Sequence, residues 1–208
     1  MKIPKIIHQV WIGPNKPPEF LGSWKEMNPG FEWWLWDIKA VKNFLPLYNQ
    51  HLFDEFASQR TQTGITGIVD LLRYEILYKY GGIYIDADVE CLRPLEGEFL
   101  ESSFFISYVL DQVEDILSTS VIGCVPEHTI MNNIIEELYQ YEKVEDTPNI
   151  FTGSCKLTKV IEGSGVKVTK LPSYCFNPIH YSGAKYMGDF KPFGDHKWNT
   201  ARKVFKSS

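Results

Sequence analysis

An apolar run over residues 3–12 opens the chain and stops at Gly13-Pro14, and the Asn15-Lys16-Pro17-Pro18 that follows cannot extend a strand. Proline fixes φ and removes a backbone donor, so a first strand ending in a loop is expected there. A short helix over 20–27, stopped by Asn28-Pro29-Gly30, and an aromatic strand over 31–36, closing on Asp37, complete a β-α-β start. Short helices are expected over 38–44 and 48–56, split by Pro46, with Thr63-Gly64 parting them from the clearest helix of the chain. That helix runs over about 66–80, where Ile68, Leu71, Leu72, Ile76 and Leu77 keep helical spacing. Thr66 is placed to cap it, and Gly81-Gly82 supplies a left-handed exit. A buried strand over 83–85 follows. Strands are then expected over 104–109, 120–125 and 166–171, and helices over 129–141 and 154–162. The tail, 190–208, reads as a loop or short helix. Strands alternating with helices predict an α/β sandwich with a mostly parallel sheet, whose ligands gather at the carboxyl ends of the strands.

Composition narrows the class. With 208 residues, 44% hydrophobic and 23% charged, the chain suits one domain with a substantial core. A net charge of -5 gives no general attraction to nucleic acid, so no nucleic-acid partner is expected. Cys91, Cys124, Cys155 and Cys175 lack zinc-site spacing and read as reduced thiols. No apolar run approaches the ~20 residues of a membrane span, and the first residues lack a signal-peptide core. A cytoplasmic location is the default expectation.

The candidate chemistry centres on Asp86 and Asp88. They follow Gly81-Gly82-Ile83-Tyr84-Ile85 directly, so a buried strand delivers two carboxylates, and strand alternation points both the same way. Paired hard oxygen ligands suit Mg²⁺ or Mn²⁺, an ion that takes its remaining ligands from water and substrate phosphates. A cation there neutralises a departing diphosphate. Asp70 and Arg73, three apart on the preceding helix, present adjacent groups to one ligand; the bland alternative is a helix-face ion pair worth little. Trp11 ends the first strand as either core or a stacking platform for a base, and Asp37 ends the second as either a cap or a ribose contact. At least one of Trp33, Trp34 and Trp36 is expected in the core, and His8 reads as a hydrogen-bonded strand residue. His196 and Trp198 are candidates for a third metal ligand and a lid. The cations Lys197, Arg202, Lys203 and Lys206, with Val204 and Phe205 among them, form a solvated tail or a peripheral contact with a membrane surface.

Together, residues 3–13, Trp34 to Asp37, and Asp70 to Tyr74 leading through Gly81-Gly82 to Asp88 resemble the DXD-motif sugar-nucleotide glycosyltransferases of family 32. That family includes bacterial capsular-polysaccharide transferases and fungal α-1,6-mannosyltransferase relatives, and its core is similar to that of the clostridial glucosylating toxins. The resemblance implies a GT-A type, Rossmann-like fold, Mn²⁺ or Mg²⁺, and a nucleotide-sugar donor, a UDP-hexose ahead of GDP-mannose. It implies transfer, with retention of configuration, to a glycan or lipid-linked oligosaccharide acceptor, in capsular or surface polysaccharide synthesis. Residues 1–95 would bind donor and metal, and 96–208 would supply the acceptor side and a C-terminal lid. Position by position, Trp11 stacks on the base, Asp37 lies near the nucleoside, and Asp70 and Arg73 hold the donor sugar. Asp86 binds ribose, sugar or metal-bound water, and Asp88 binds the metal. His196-Lys197-Trp198 resembles the family's late metal and diphosphate motif, although no Ser-Trp follows it. Two competing readings are a haloacid-dehalogenase-like phosphatase, with Asp86 as nucleophile and Asp88 as acid, and a calcium-binding or lectin-like module built on Asp86, Asp88 and Glu90.

Overall fold

Strand β1, Ile6–Val10, pairs in parallel with β2, Glu32–Trp36, on one side and with β3, Gly82–Ile85, on the other. The computed structural model describes residues 2–111 and 115–198. Beyond β3 the sheet continues with β6, Leu117–Cys124, then β5, Phe104–Tyr108, then β7, Thr169–Leu171. Only β6 runs against the others, because it is antiparallel to both its neighbours while β5 and β7 are parallel to each other. The expected mostly parallel α/β sheet is therefore present.

Helices α1, Ser23–Met27, α2, Ile38–Phe44, and α3, Gln50–Ser58, precede the long α4, Gln62–Tyr80. After the sheet's centre come α5, Thr129–Tyr139, α6, Pro148–Phe151, and α7, Ser154–Ser164. Among the described residues no helix is long and apolar enough to cross a membrane. Side-chain alternation divides the core between the two faces of the sheet. Tyr84 joins Leu72, Ile76 and Leu77 of α4 on one face, while Ile83 and Ile85 pack with Trp24, Phe105 and Phe176 on the other. Fully burying each such aliphatic side chain contributes about 1.5–3 kcal/mol. Trp36 is the core member of the tryptophan strand.

Helix α4 begins earlier than its apolar spacing predicts. Thr61, not Thr66, is the cap, its hydroxyl accepting from the Gly64 amide at 3.0 Å, and Thr63-Gly64 lies inside the helix instead of parting it from α3. The glycines serve close packing: a Cβ on Gly64 would lie 2.4 Å from the Phe56 carbonyl oxygen, and one on Gly67 2.5 Å from the Phe56 ring. At the other end the double glycine does make the turn out of the helix. Gly81 and Gly82 have φ of +61° and +90°, and a Cβ on Gly82 would meet the Ile6 carbonyl oxygen at 2.7 Å. His8 holds this junction, with Nε2 donating to the Gly81 carbonyl at 2.9 Å and Nδ1 accepting from the Trp36 indole at 3.2 Å.

The tail departs from expectation. Residues Gly194–His196 form β8, which pairs with β4, Val89–Cys91, in a two-stranded antiparallel ribbon. Gly-Asp-His carries no strand signal of its own; the waiting edge of β4 supplies it. The expected tail elements beyond Trp198, including Arg202, Lys203 and Lys206, lie outside the described residues.

Candidate active site

Trp11, Asp37 and Asp86 follow directly on β1, β2 and β3, three parallel strands, and so stand at one carboxyl edge of the sheet. Strand β3 ends at Ile85. The Asp86 amide makes a last ladder bond to the Ser120 carbonyl at 2.8 Å, and the Asp86 carbonyl then accepts from the Val89 amide at 3.0 Å, closing a tight turn. Asp86 and Asp88 therefore sit on a turn, and strand alternation is not what aims them. They nonetheless converge: one carboxylate oxygen from each and a ring nitrogen of His196 lie within 4.8 Å of one another. His196 reaches the group because β8 pairs with β4 immediately after the motif, and the Lys197 amide extends that ladder to the Asp88 carbonyl at 2.9 Å. Its Nε2 lies 3.1 Å from Asp88 Oδ1.

Behind the turn, Asp70 and Arg73 are each 3% exposed, so their pair is no solvated helix-face bridge. Arg73 spans two carboxylates, with Nη1 donating to Asp70 Oδ1 at 2.7 Å and Nη2 to Asp86 Oδ1 at 2.9 Å. The Tyr84 hydroxyl donates to the same Asp86 oxygen at 2.8 Å, and the guanidinium lies over the Tyr84 ring at 4.5 Å. Asp70 Oδ2 accepts from the Thr152 hydroxyl at 2.8 Å. Tyr84 and Thr152 thus belong to the network although the sequence reading gave them no role. Tyr84 had a legible signal, since it stands two residues before Asp86; Thr152, between α6 and α7, had none.

Burial dominates the electrostatics. It raises the Asp70 carboxyl to about 6 although Arg73 and the Thr152 hydroxyl pull the other way. Burial also raises Asp86, opposed by Arg73 and reinforced by Asp88. For His196, burial disfavours the cation, but the Asp88, Asp86 and Asp195 carboxylates overcome it and hold the ring above its ordinary range. A divalent cation suits this set. Two carboxylates and an imidazole gather around one point, and the His196 Nδ1 is buried with no hydrogen-bond partner among the described residues. Arg73 and Tyr84 occupy one Asp86 oxygen, so Oδ2 is the one left for a cation or its water. Glu90, the third acid of the calcium-module reading, is not among the three groups that meet; it pairs with Lys197 at 2.7 Å.

Trp198 stacks on the His196 ring at 4.0 Å and donates from its indole nitrogen to the Ile179 carbonyl at 2.8 Å. The partly exposed Trp11 donates its indole N–H to the Asn15 carbonyl at 3.1 Å, and its own amide donates to the Trp36 carbonyl at 3.0 Å, beside Asp37. Asp37 caps α2 by accepting from the Ala40 amide at 2.8 Å. These two residues share the sheet edge with the acidic cluster but are not hydrogen-bonded into it.

A family model described as a glycosyltransferase sugar-binding region containing a DXD motif matches residues 14–106. The uncharacterized glycosyltransferase L373 of Acanthamoeba polyphaga mimivirus is 31% identical over 204 residues, which is 93% of this chain and 76% of that protein. Inositol phosphoceramide mannosyltransferase 3 of Schizosaccharomyces pombe is 29% identical over 142 residues, covering 67% of this chain but only 38% of the yeast protein. The chain therefore spans well under half the length of that relative. Among solved structures, PaToxG glycosyltransferase superposes with a TM-score of 0.62 at 17% identity, over 79% of this chain and 70% of that one. That likeness concerns the fold alone, and the fold is the expected GT-A type.

Proposed function

Because this chain belongs to the glycosyltransferases whose sugar-binding region contains a DXD motif, we propose that it transfers a hexose from a nucleotide-sugar donor to a hydroxyl of a glycan or glycolipid acceptor. The observation that carries the reading is the meeting of Asp86, Asp88 and His196 at the carboxyl edge of the sheet, with Arg73 joining Asp86 to Asp70. Asp88 and His196 would hold Mn²⁺ or Mg²⁺, and Asp86 would assist directly or through water. When bound, the cation offsets the negative charge that builds on the leaving diphosphate. Arg73 and Asp70, both buried, support the donor-sugar site from behind Asp86, Trp11 stacks on the base, Asp37 lies near the nucleoside and Trp198 closes the donor site. We place most of donor recognition in residues 1–95, and acceptor recognition together with the C-terminal lid that carries His196 and Trp198 in 96–208 of one domain. The mannosyltransferase relative moves GDP-mannose ahead of the UDP-hexoses as donor.

The reading includes retention of anomeric configuration. A double displacement needs a carboxylate free to attack the anomeric carbon. Asp70 is engaged on both oxygens, by Arg73 and by Thr152, which supports front-face attack instead. In that step the bond from the anomeric carbon to the diphosphate oxygen breaks as the acceptor oxygen bonds on the same face. The acceptor's proton passes to the leaving phosphate oxygen.

The test is a thermal-shift and donor-hydrolysis screen of GDP-mannose and UDP-hexoses, with and without Mn²⁺. At a donor concentration 100 times Kd, binding stabilises by about 2.7 kcal/mol, which for a chain of this size is a rise in Tm of roughly 5–10 °C. Asp88→Asn is expected to remove the Mn²⁺-dependent part. A variant that binds and hydrolyses donor as well as the parent overturns the metal assignment. Release of phosphate from a general aryl phosphate, unaffected by Asp70→Ala, favours the phosphatase reading.

A further inference from the structure

The connection between α6 and α7 has no counterpart in the motifs above, yet its Thr152 is wholly buried and touches the charged network from behind. Thr152 Oγ1 lies 2.8 Å from Asp70 Oδ2 and 3.2 Å from the Pro148 carbonyl oxygen. A hydroxyl has one proton, and the shorter contact to the charged acceptor is the stronger one. The residue is itself held at both ends of its backbone. Its amide donates to the Pro148 carbonyl at 2.9 Å, and its carbonyl accepts from the Tyr74 hydroxyl at 2.5 Å. Tyr74 lies on α4, four residues after Asp70, so the same helix presents the carboxylate and the group that anchors its partner. Next to it, a Cβ on Gly153 would lie 3.0 Å from the Pro148 carbonyl oxygen and 3.3 Å from Asp70 Oδ2, which leaves the turn little room to move away from the carboxylate.

We infer that Thr152 is a positioning residue for the donor site: its hydroxyl fixes the Asp70 carboxylate, which orients the Arg73 fork, which in turn occupies Asp86 Oδ1 and leaves Oδ2 toward the cation. The connection is a chain of three hydrogen bonds, Thr152 to Asp70, Asp70 to Arg73 and Arg73 to Asp86, none longer than 2.9 Å. Arg73 Nε has no hydrogen-bond partner among the described residues, so the two terminal nitrogens alone fix the guanidinium's hydrogen-bonded orientation. Freed on one side, Asp70 can rotate, and the fork can follow it. A misplacement of about 1 Å at a reacting centre costs up to 10²-fold in rate, and a displacement passed through two intermediates is expected to cost less.

The inference rests on the proposed glycosyl transfer, and two readouts separate their failures. Mn²⁺ binding, followed by electron paramagnetic resonance, and donor hydrolysis with Mn²⁺ are measured on the full chain, on Thr152→Val and on Thr152→Ser. The valine variant keeps the shape and loses the donor; the serine variant keeps the donor and loses a methyl. Thr152→Val is expected to lower kcat about tenfold, equivalent to about 1.4 kcal/mol. KM is expected to change less than about threefold, and Thr152→Ser to stay within about twofold of the parent. This split is the mark of an interaction used in the transition state and not in ground-state binding. Parent-like turnover in Thr152→Val overturns the inference. So does an equal loss in both variants, which assigns the effect to packing. If Thr152→Val does not fold, Tyr74→Phe takes its place by loosening the same turn; a fall of about threefold in kcat supports the inference, and unchanged turnover overturns it. A parent that binds neither Mn²⁺ nor donor refutes the glycosyl-transfer reading, and the role of Thr152 with it.

Discussion

Lowering the pH should expose the strain of burying His8. The ring is fully enclosed and its two nitrogens have opposite duties: Nε2 donates to the Gly81 carbonyl and Nδ1 accepts from the Trp36 indole. Only the neutral ring protonated at Nε2 satisfies both. Protonating Nδ1 sets two donors against each other and places an unpaired charge in the core. Burial accordingly lowers the His8 pKa from 6.5 to about 4. Between these values the unfolded chain binds the proton and the folded chain does not, so stability is intact above pH ~6.5 and is lost as pH falls toward about 4. At about 1.4 kcal/mol per pH unit, the gap amounts to roughly 3 kcal/mol. For a chain of this size that is a fall in Tm of about 5–10 °C between pH 7 and pH 4.5. Carboxylates titrate in part of the same window, so the measurement is a difference between the parent and His8→Gln. Glutamine offers one donor and one acceptor and does not titrate. Tm measured by calorimetry across pH 4.5–7 should fall more steeply for the parent than for His8→Gln. Parallel curves, or an imidazole that titrates near 6.5 by NMR in the folded protein, refute the reasoning.

Arg73→Leu leaves Asp70 and Asp86 facing each other without their shared cation. Breaking a buried pair in this way costs about 3–5 kcal/mol, and a loss below about 1 kcal/mol in urea unfolding would show that the network contributes little to folding. Gly67→Ala drives a Cβ to 2.5 Å from the Phe56 ring and should destabilise by about 1–3 kcal/mol; Phe56→Leu in the same chain should recover part of it, and strict additivity would refute the steric account. Trp11→Ala should weaken donor binding at least tenfold while moving Tm by less than about 2 °C. Unchanged affinity with a large loss of Tm would instead assign Trp11 to the core.

Much of the layout was readable because it is local. Helix α2 has the predicted bounds, and the run after Gly81-Gly82 is the buried strand that was expected. Cys91, Cys124, Cys155 and Cys175 are free thiols, as their spacing predicted. The failures came where one segment answers to another. Gly64 reads as a break until Phe56 of α3 is set against it. Gly194–His196 reads as loop until the β4 edge is present. Asp86 and Asp88 were expected at a strand end, aimed alike by strand alternation, and they meet on a turn.

The order of apolar runs, the double glycine and the two acids after it determined an α/β sheet and the edge at which its chemistry gathers. Periodicity and backbone permissiveness act within a few residues, and a linear pattern records them. His196 was already a candidate from the sequence, but its meeting with the two acids, the burial of the Asp70–Arg73–Asp86 chain and the contact from Thr152 were decided only in three dimensions. Each depends on segments far apart in sequence being packed together, and on low-dielectric surroundings that no residue creates alone.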